Sequence, residues 1–404
     1  MFHSSRTMTR EKEMRRDLAA HIRDGKPKKF FDNLGSALME DRDLRHRISI
    51  RRLAEEFIEG GREMVDSWNP EYGGAGAHAI PVQRDLLEAG EAVTSNAFSH
   101  ITGQMVYSEL MDKFDDESFV FSDIVPNVPT KLNGQLIPGY GRMGNVAEVI
   151  AEGQPYPRAG LTDDWIRSPM TRKRGLAIDL TREAVFFDTA GGLLEAAGEV
   201  GYWLGLNKEI RLIDAFIDEN ATDHRYNWKD TVYASYQTST PWDNVTASAA
   251  LVDWTDIDEA EQTLSGIVDP NTGTRIINTP KDIIVTRQNQ YSAKRILNAT
   301  EIDVATPGYA TTGNPTRTKV ANPIANYRLV SSLLLADRMA TDTTWYLGDI
   351  ARMLRYMENF PLQVEQAPPN TGDMWERDIA MSWKAGERGA AFVKEPRLTT
   401  KCTA

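Results

Sequence analysis

Cysteine is nearly missing from this chain: Cys402 is the only one in 404 residues. One cysteine forms no intrachain disulfide, and it excludes cysteine-based zinc sites. Folding in a reducing cytoplasm is the expectation, and the sequons at Asn220, Asn244 and Asn298 then carry no weight. Histidine is almost as scarce, with six: His3, His21, His46, His78, His100 and His224. No two stand at the spacing of an H-E-x-x-H ligand pair. No stretch approaches the ~18 to 20 apolar residues that a membrane helix needs. The opening residues Met1-Phe2-His3-Ser4-Ser5-Arg6 lack the apolar core of a secretory signal. The G-x-S-x-G, Walker A and cysteine-nucleophile signals of common enzymes are missing together.

What is present is enough for two or three compact units: 404 residues, 41% apolar and 26% charged. Charge is unevenly placed. Residues 1–52 hold 14 Lys/Arg against 8 Asp/Glu, a net of +6, whereas the whole chain carries −12. A basic arm on an acidic body brings only the arm close to a polyanion. A charged helix is predicted over 9–24 and a second, amphipathic one over 38–68. The linker Asn69-Pro70-Glu71-Tyr72-Gly73-Gly74-Ala75-Gly76 follows. Residues 1–76 therefore read as an arm, and 77–145 as its continuation ending in a lead-in helix over 94–114.

The body has clearer periodicity. Val146 to Glu152 reads as a strand, Gly153-Gln154-Pro155-Tyr156-Pro157 ends it, and Thr171 to Leu180 reads as a returning strand. A two-stranded projection is at best marginally stable in water, so it needs a surface to lie on. Leu193, Ala197, Val200, Leu204, Ile210, Ile213 and Ile217 then recur at helical spacing. They predict a rod of roughly 27 residues and roughly 40 Å. Short helices are predicted at 255–266 and 290–299, a buried strand at 282–286, and a Gly- and Thr-rich loop over 303–323. The C-terminal third reads as strands at 327–335, 343–347, 353–356, 362–366, 376–383 and 391–393.

Three patterns suggest chemistry. Gly139-Tyr140-Gly141-Arg142-Met143-Gly144 fits G-x-G-x-x-G, with Asp163 and Asp164 about 20 residues on, where a ribose-binding acid would stand. Its surroundings are wrong, because Pro138 precedes it and a strand-like segment follows where a helix should open. Acid clusters occur at Asp115-Asp116-Glu117 and at Asp253, Asp256, Asp258 and Glu259. A carboxylate pair is what a hydrolase of the glycosidase type would use. The second cluster, however, stands where a helix begins, which favours acids through the helix dipole alone.

The order of elements resembles that of the major capsid proteins of tailed phages, with the HK97-like fold. The resemblance is carried by Glu152-Gly153-Gln154-Pro155-Tyr156-Pro157, Lys173-Arg174-Gly175 and Leu180-Thr181-Arg182-Glu183-Ala184. The rod at 193–218 adds to it, as do Trp345-Tyr346-Leu347-Gly348-Asp349, Trp375-Glu376-Arg377-Asp378-Ile379 and Glu387-Arg388. It covers about 95–400. It implies an α+β fold with a long spine helix, an extended β-hairpin loop at 146–180, an axial domain at 235–325, and a peripheral domain at 181–234 plus 326–400. It implies a structural protein, not an enzyme, that self-assembles into pentamers and hexamers of an icosahedral shell around double-stranded DNA. Portal and scaffold or cement proteins are the implied partners, with no membrane, cofactor or metal. The shell would assemble in the bacterial host cytoplasm and end as the virion capsid. Pro155, Tyr156, Pro157, Trp165 and Ile166 become subunit-interface candidates. Arg10, Lys12, Arg15, Arg16, Lys26, Lys28 and Lys29 become candidates for a DNA-facing arm. The alternatives are an encapsulin-type nanocompartment, with protein cargo in place of DNA, and a carboxylate-dependent hydrolase.

Overall fold

The computed structural model describes residues 92–139, 149–154, 156, 164–187, 192–219, 226–305, 317–324, 326–367 and 376–403. The arm 1–76, with all seven of its candidate basic residues, lies outside them. In chain order the helices are α1 (Ala92–Phe114), α2 (Val120–Ile124), α3 (Arg182–Phe187), α4 (Gly192–Ile217), α5 (Trp254–Gly266), α6 (Gln290–Leu297), α7 (Leu333–Arg338) and α8 (Ile350–Met353). The strands begin with β1 (Asn127–Pro129), β2 (Leu136–Pro138), β3 (Trp165–Arg167), β4 (Arg172–Thr181), β5 (Tyr226–Trp228) and β6 (Thr231–Tyr233). Next come β7 (Thr238–Ser239), β8 (Trp242–Asp243), β9 (Val245–Thr246), β10 (Asp282–Val285), β11 (Glu301–Ala305) and β12 (Arg317–Ala321). The last are β13 (Arg328–Ser331), β14 (Trp345–Gly348), β15 (Leu354–Gln366), β16 (Ile379–Val393) and β17 (Thr399–Cys402). The chain forms two compact units. One contains the described part of Met1–Asp116 with Arg174–Leu206 and Leu362–Glu387, and the other Glu117–Lys173, Asn207–Pro361 and Arg388–Ala404.

In the first unit, α1 packs on the beginning of α4. The small residues of α4 make this possible. A Cβ on Gly201 would lie 2.2 Å from the Leu110 carbonyl oxygen, so only glycine admits the backbone of α1 there. Met105, Leu110, Leu194, Ala197 and Leu204 are buried, as the apolar stripes of the two helices require. The 26 residues of α4 correspond to about 39 Å at ~1.5 Å per residue, in line with the rod that the periodicity predicts.

The second unit is built on a five-stranded sheet in the order β13-β10-β14-β17-β9. Both faces are covered, which is why its central strands are continuously apolar instead of alternating. Ile284 and Tyr346 face a cluster containing Leu212, Ile213 and Phe216 of α4, whereas Ile283, Val285, Trp345 and Leu347 face one containing Ile257 of α5 and Ala293 of α6. Asp253 and Asp256 form a reciprocal capping box that starts α5. Two acids of the cluster there are thus occupied in capping the start of a helix. Because β10 pairs with both β13 and β14, this sheet joins chain from both sides of position 325.

Buried charge holds the second unit together. The Arg397 guanidinium donates to Glu395 through Nε and Nη2 at 2.6 and 2.7 Å, and to Asp269 at 2.8 Å, with all three side chains buried. Glu209 of α4 accepts the Phe121 and Ser122 N–H groups at 2.8 and 2.7 Å and so satisfies the start of α2. Burial raises the Glu209 carboxyl above its ordinary range, and those hydrogen bonds pull it part of the way back. Arg338 holds Asp214 with two bonds of 2.7 Å.

Several expectations are corrected. Val149 to Glu152 is not a strand. Val149 is fully exposed, and alternation makes a strand only where one face is covered. The segment read as a loop over 303–323 takes in the end of β11 and all of β12, an antiparallel pair. Residues 333–335, read as strand, open α7, because the Ser332 hydroxyl caps the Leu334 N–H. The pieces at 353–356 and 362–366 are the single strand β15, and the last two pieces join into β16. Pro361 lies beyond Glu358, the last β15 residue in register with β1, a position where the ladder tolerates proline.

Candidate subunit interface

The returning strand of the expected projection is present as β4. Its partner is β16, in a four-stranded sheet ordered β1-β15-β16-β4. Among the described residues β4 therefore does not pair with 149–152, and it forms the sheet's edge. A Cβ on Gly175 would come within 2.5 Å of the Ala385 carbonyl, so a glycine is needed for β4 to lie this close to β16. The base of β4 is tied down by polar contacts. Thr171 N–H donates to Asn133 Oδ1 at 2.9 Å, and Arg388 Nε donates to the Thr171 hydroxyl at 3.1 Å. At the far end, the Ser382 hydroxyl donates to Asp179 at 2.5 Å. The Thr181 hydroxyl accepts the Ala184 N–H at the start of α3.

The five candidate interface residues separate. Tyr156 is 83% exposed, outside any regular element. Pro155 and Pro157 lie outside the described residues. Ile166 is 1% exposed, in the centre of β3. It stands opposite Ile137 on one side and Trp228 on the other, inside the main core cluster. Its side chain is committed to its own subunit. Trp165, one position earlier, is half-buried. The sequence could not show this because β3 is only three residues long, too short for a period. Its partner β5 lies some sixty positions away.

The G-x-G-x-x-G pattern gains a structural reason for its first glycine. Gly139 follows β2, and a Cβ there would lie 2.7 Å from an Asp164 carboxylate oxygen. Asp164 accepts the Trp228 indole N–H, and the Gly139 N–H donates to its backbone carbonyl at 3.0 Å. The acid about 20 residues on is thus brought to the glycine as a packing and hydrogen-bonding partner. Residues 140–148 lie outside the described residues. The aromatic-x-x-Gly-Asp segment is explained likewise. Trp345, Tyr346 and Leu347 are buried. A Cβ on Gly348 would lie 2.4 Å from the Thr399 hydroxyl. Asp349 caps α8 and pairs with Lys281 at 3.0 Å.

Exposed apolar side chains mark the surface that sequence reasoning missed. Besides Tyr156, they include Met170 and Leu176 around β4, and Tyr202 and Trp203 on α4. Helical periodicity identifies a buried stripe, but Tyr202 and Trp203 lie off that stripe and gave no signal. Among the described residues, no group of three or more His, Cys, Asp or Glu is arranged to hold a metal ion. Nor is any helix there long and apolar enough to cross a membrane.

A family model described as "Phage capsid protein" matches residues 166–401. No curated protein matches the sequence. Among solved structures, the chain is similar to one titled "Gordonia phage Cozz", at 15% identity and TM-score 0.43, over 71% of this chain and 87% of that one. It is also similar to "Capsid of empty GTA particle computed with C5 symmetry", at 11% identity and TM-score 0.43, over 71% and 90% of the two chains. A third is "Crystal structure of virus-like particle from Pyrococcus furiosus", at 11% identity and TM-score 0.38, over 74% and 98%.

Proposed function

The chain belongs to the phage capsid protein family, and from that premise we propose that it is the major shell subunit of a tailed phage or prophage. It self-assembles into pentamers and hexamers, and these close an icosahedral shell around double-stranded DNA. The observation that supports this reading is the family match over 166–401, which includes the long helix, both long strands and the central sheet. Portal and scaffold or cement proteins complete the particle, which is built in the host cytoplasm and released as the virion. The axial part, 235–325, meets its copies at the symmetry centres. The peripheral part, 181–234 with 326–400, carries the helix α4. The segment 146–180 reaches a neighbour with Tyr156 at its exposed end. The basic residues Arg10, Lys12, Arg15, Arg16, Lys26, Lys28 and Lys29 face the packaged DNA, which they contact without sequence preference.

Negative-stain microscopy of the expressed full chain tests this. Uniform particles, or rings of five or six subunits, are the expected result. A stable monomer at micromolar concentration under every salt condition overturns the reading. Particles that carry a host protein and no nucleic acid would move the chain to the nanocompartment alternative. The contribution of the loop is tested with Tyr156→Ala, which should lower shell yield and leave the melting of the free subunit unchanged. A deletion of 156–168 cannot serve, because it would remove Ile166 from the subunit core.

A further inference from the structure

We propose that the phenol hydroxyls of Tyr236 and Tyr346 together hold a buried water molecule at the C-terminal end of α4. The proposal concerns the interior of the second unit and does not depend on the shell-subunit reading.

The corner is assembled from distant segments. Tyr346 of β14 stands directly opposite Lys401 of β17, so the two side chains share one face of the central sheet. That face is the one covered by α4, where the Phe216 and Tyr346 ring centroids are 4.8 Å apart. Tyr236 comes from the segment before β7 and packs on both rings, 5.2 Å from Tyr346 and 6.4 Å from Phe216. Lys401 Nζ lies 6.0 Å from the Tyr236 ring centroid and pairs with Glu219 at 2.6 Å. Asp218 accepts the Ser235 N–H at 2.6 Å, which fixes the chain just before Tyr236.

The charged groups of this corner have protein partners. Glu219 accepts from Lys401 on one oxygen and from the Ala340 N–H on the other, at 2.6 and 2.7 Å. The hydroxyls do not. Tyr346 is 0% exposed, and the Tyr236 hydroxyl is buried although the residue as a whole is only half-buried. Among the described residues neither hydroxyl has a hydrogen-bond partner, and the buried Ser235 hydroxyl beside them has none either. A buried hydroxyl left unpaired loses its hydration and gains no bond, so interiors satisfy such groups with protein or with ordered water. A buried water makes about three hydrogen bonds and needs two to four polar partners.

The chemistry of the corner selects a neutral ligand. Burial raises both phenols well above their ordinary value, and the Asp218 and Glu219 carboxylates push the same way. Both side chains therefore stay neutral, each able to donate one bond and accept others. An anion would meet Asp218 and Glu219, and a cation would meet Lys401. Water donates and accepts without charge. Held by the two phenols, it links β14 to the segment before β7 by directional bonds, where the rings alone provide only contact.

The experiment compares Tyr236→Phe and Tyr346→Phe in the full chain as free subunit. Each removes one oxygen and keeps the ring, and circular dichroism confirms that the fold is retained. A dry, unpaired hydroxyl is a cost, so its removal would leave the urea midpoint unchanged or raise it. A hydroxyl that holds water is a gain, so each single variant should lower the midpoint. The double variant should lower it by less than the sum, because both changes release the same water. A map of the subunit or particle that resolves ordered water gives a second readout, with a peak expected within about 3 Å of both oxygens. Midpoints unchanged or raised in both single variants overturn the proposal, as does such a map without that peak. The shell-subunit reading stands in either case, since it is decided by particle formation.

Discussion

Gly201→Ala is the most informative single perturbation of the subunit. The added Cβ would lie 2.2 Å from the Leu110 carbonyl oxygen, 2.9 Å from its carbonyl carbon and 3.0 Å from its Cα. Ordinary contact begins near 3.4 Å, so α1 and α4 must separate by about 1.2 Å at this point. A backbone cannot swing aside as a side chain does, and the shift loosens Leu110 and Met105, which are buried at 0 and 1% exposure. Overpacking of this kind costs about 1 to 3 kcal/mol. Alanine returns up to about 1 kcal/mol through its helix propensity. The expected net loss is about 1 to 2 kcal/mol, a drop of several degrees in the melting temperature of the unassembled subunit. Gly198→Ala is the control. Its Cβ would lie nearest the Glu109 and Lys113 side chains, at 3.3 Å, and not against backbone, so this variant should lose less stability than Gly201→Ala. Thermal melts followed by circular dichroism compare the two. Equal melting temperatures for both variants would show that the close approach of α1 to Gly201 is not what holds the helices together.

Three other outcomes are expected. Arg397→Leu leaves the buried carboxylates of Glu395 and Asp269 without their cation and should destabilise by about 3 to 5 kcal/mol; a urea midpoint within error of wild type contradicts this. Burial raises the Cys402 thiol well above its ordinary range. Its contribution to stability is therefore complete at neutral pH and is lost only as pH rises through the native value. Alkylation at pH 8 should accordingly be slow in the native chain and fast in denaturant, and equal rates would place the thiol at the surface. Ile166→Ala should cost the free subunit about 2 to 5 kcal/mol, and a neutral result in urea would return Ile166 to the list of interface residues.

What could be read from the sequence depended on the length of each element. The apolar run of α4 persists over more than six turns, so its period is unmistakable. The Asp253 capping box is local and equally clear. The long strands β15 and β16 were broken into pieces because Pro361, Gly386 and Gly389 look like ends. Gly389 in fact lies where a Cβ would meet the Tyr356 ring at 2.6 Å, a contact set by chain more than thirty residues away. The same non-locality hid β3, the Glu209 tie to α2 and the Arg397 cluster. Each joins segments that no window of sequence holds together. At the candidate interface, Tyr156 is exposed, whereas Ile166 lies in the core of its own subunit.

The burial of Ile166 changes where assembly energy has to come from. A loop that offered Trp165 and Ile166 to a neighbour would act through its own apolar residues. With Ile166 spent internally, the large exposed apolar side chains on the described part of the 146–180 segment are Val149, Tyr156, Met170 and Leu176. Leu176 belongs to a stripe already anchored at Ile178 and Leu180. An anchored stripe is ordered before contact, so a partner that covers its free end gains burial without ordering the strand. The exposed Tyr202 and Trp203 on a helix braced from behind by α1 are pre-ordered in the same way. Surfaces that are rigid before contact lose less entropy on association. Particles of a Trp203→Ala variant should consequently dissociate at lower salt than wild-type particles. If raised salt disrupted both equally, Trp203 would contribute nothing to the contacts between subunits.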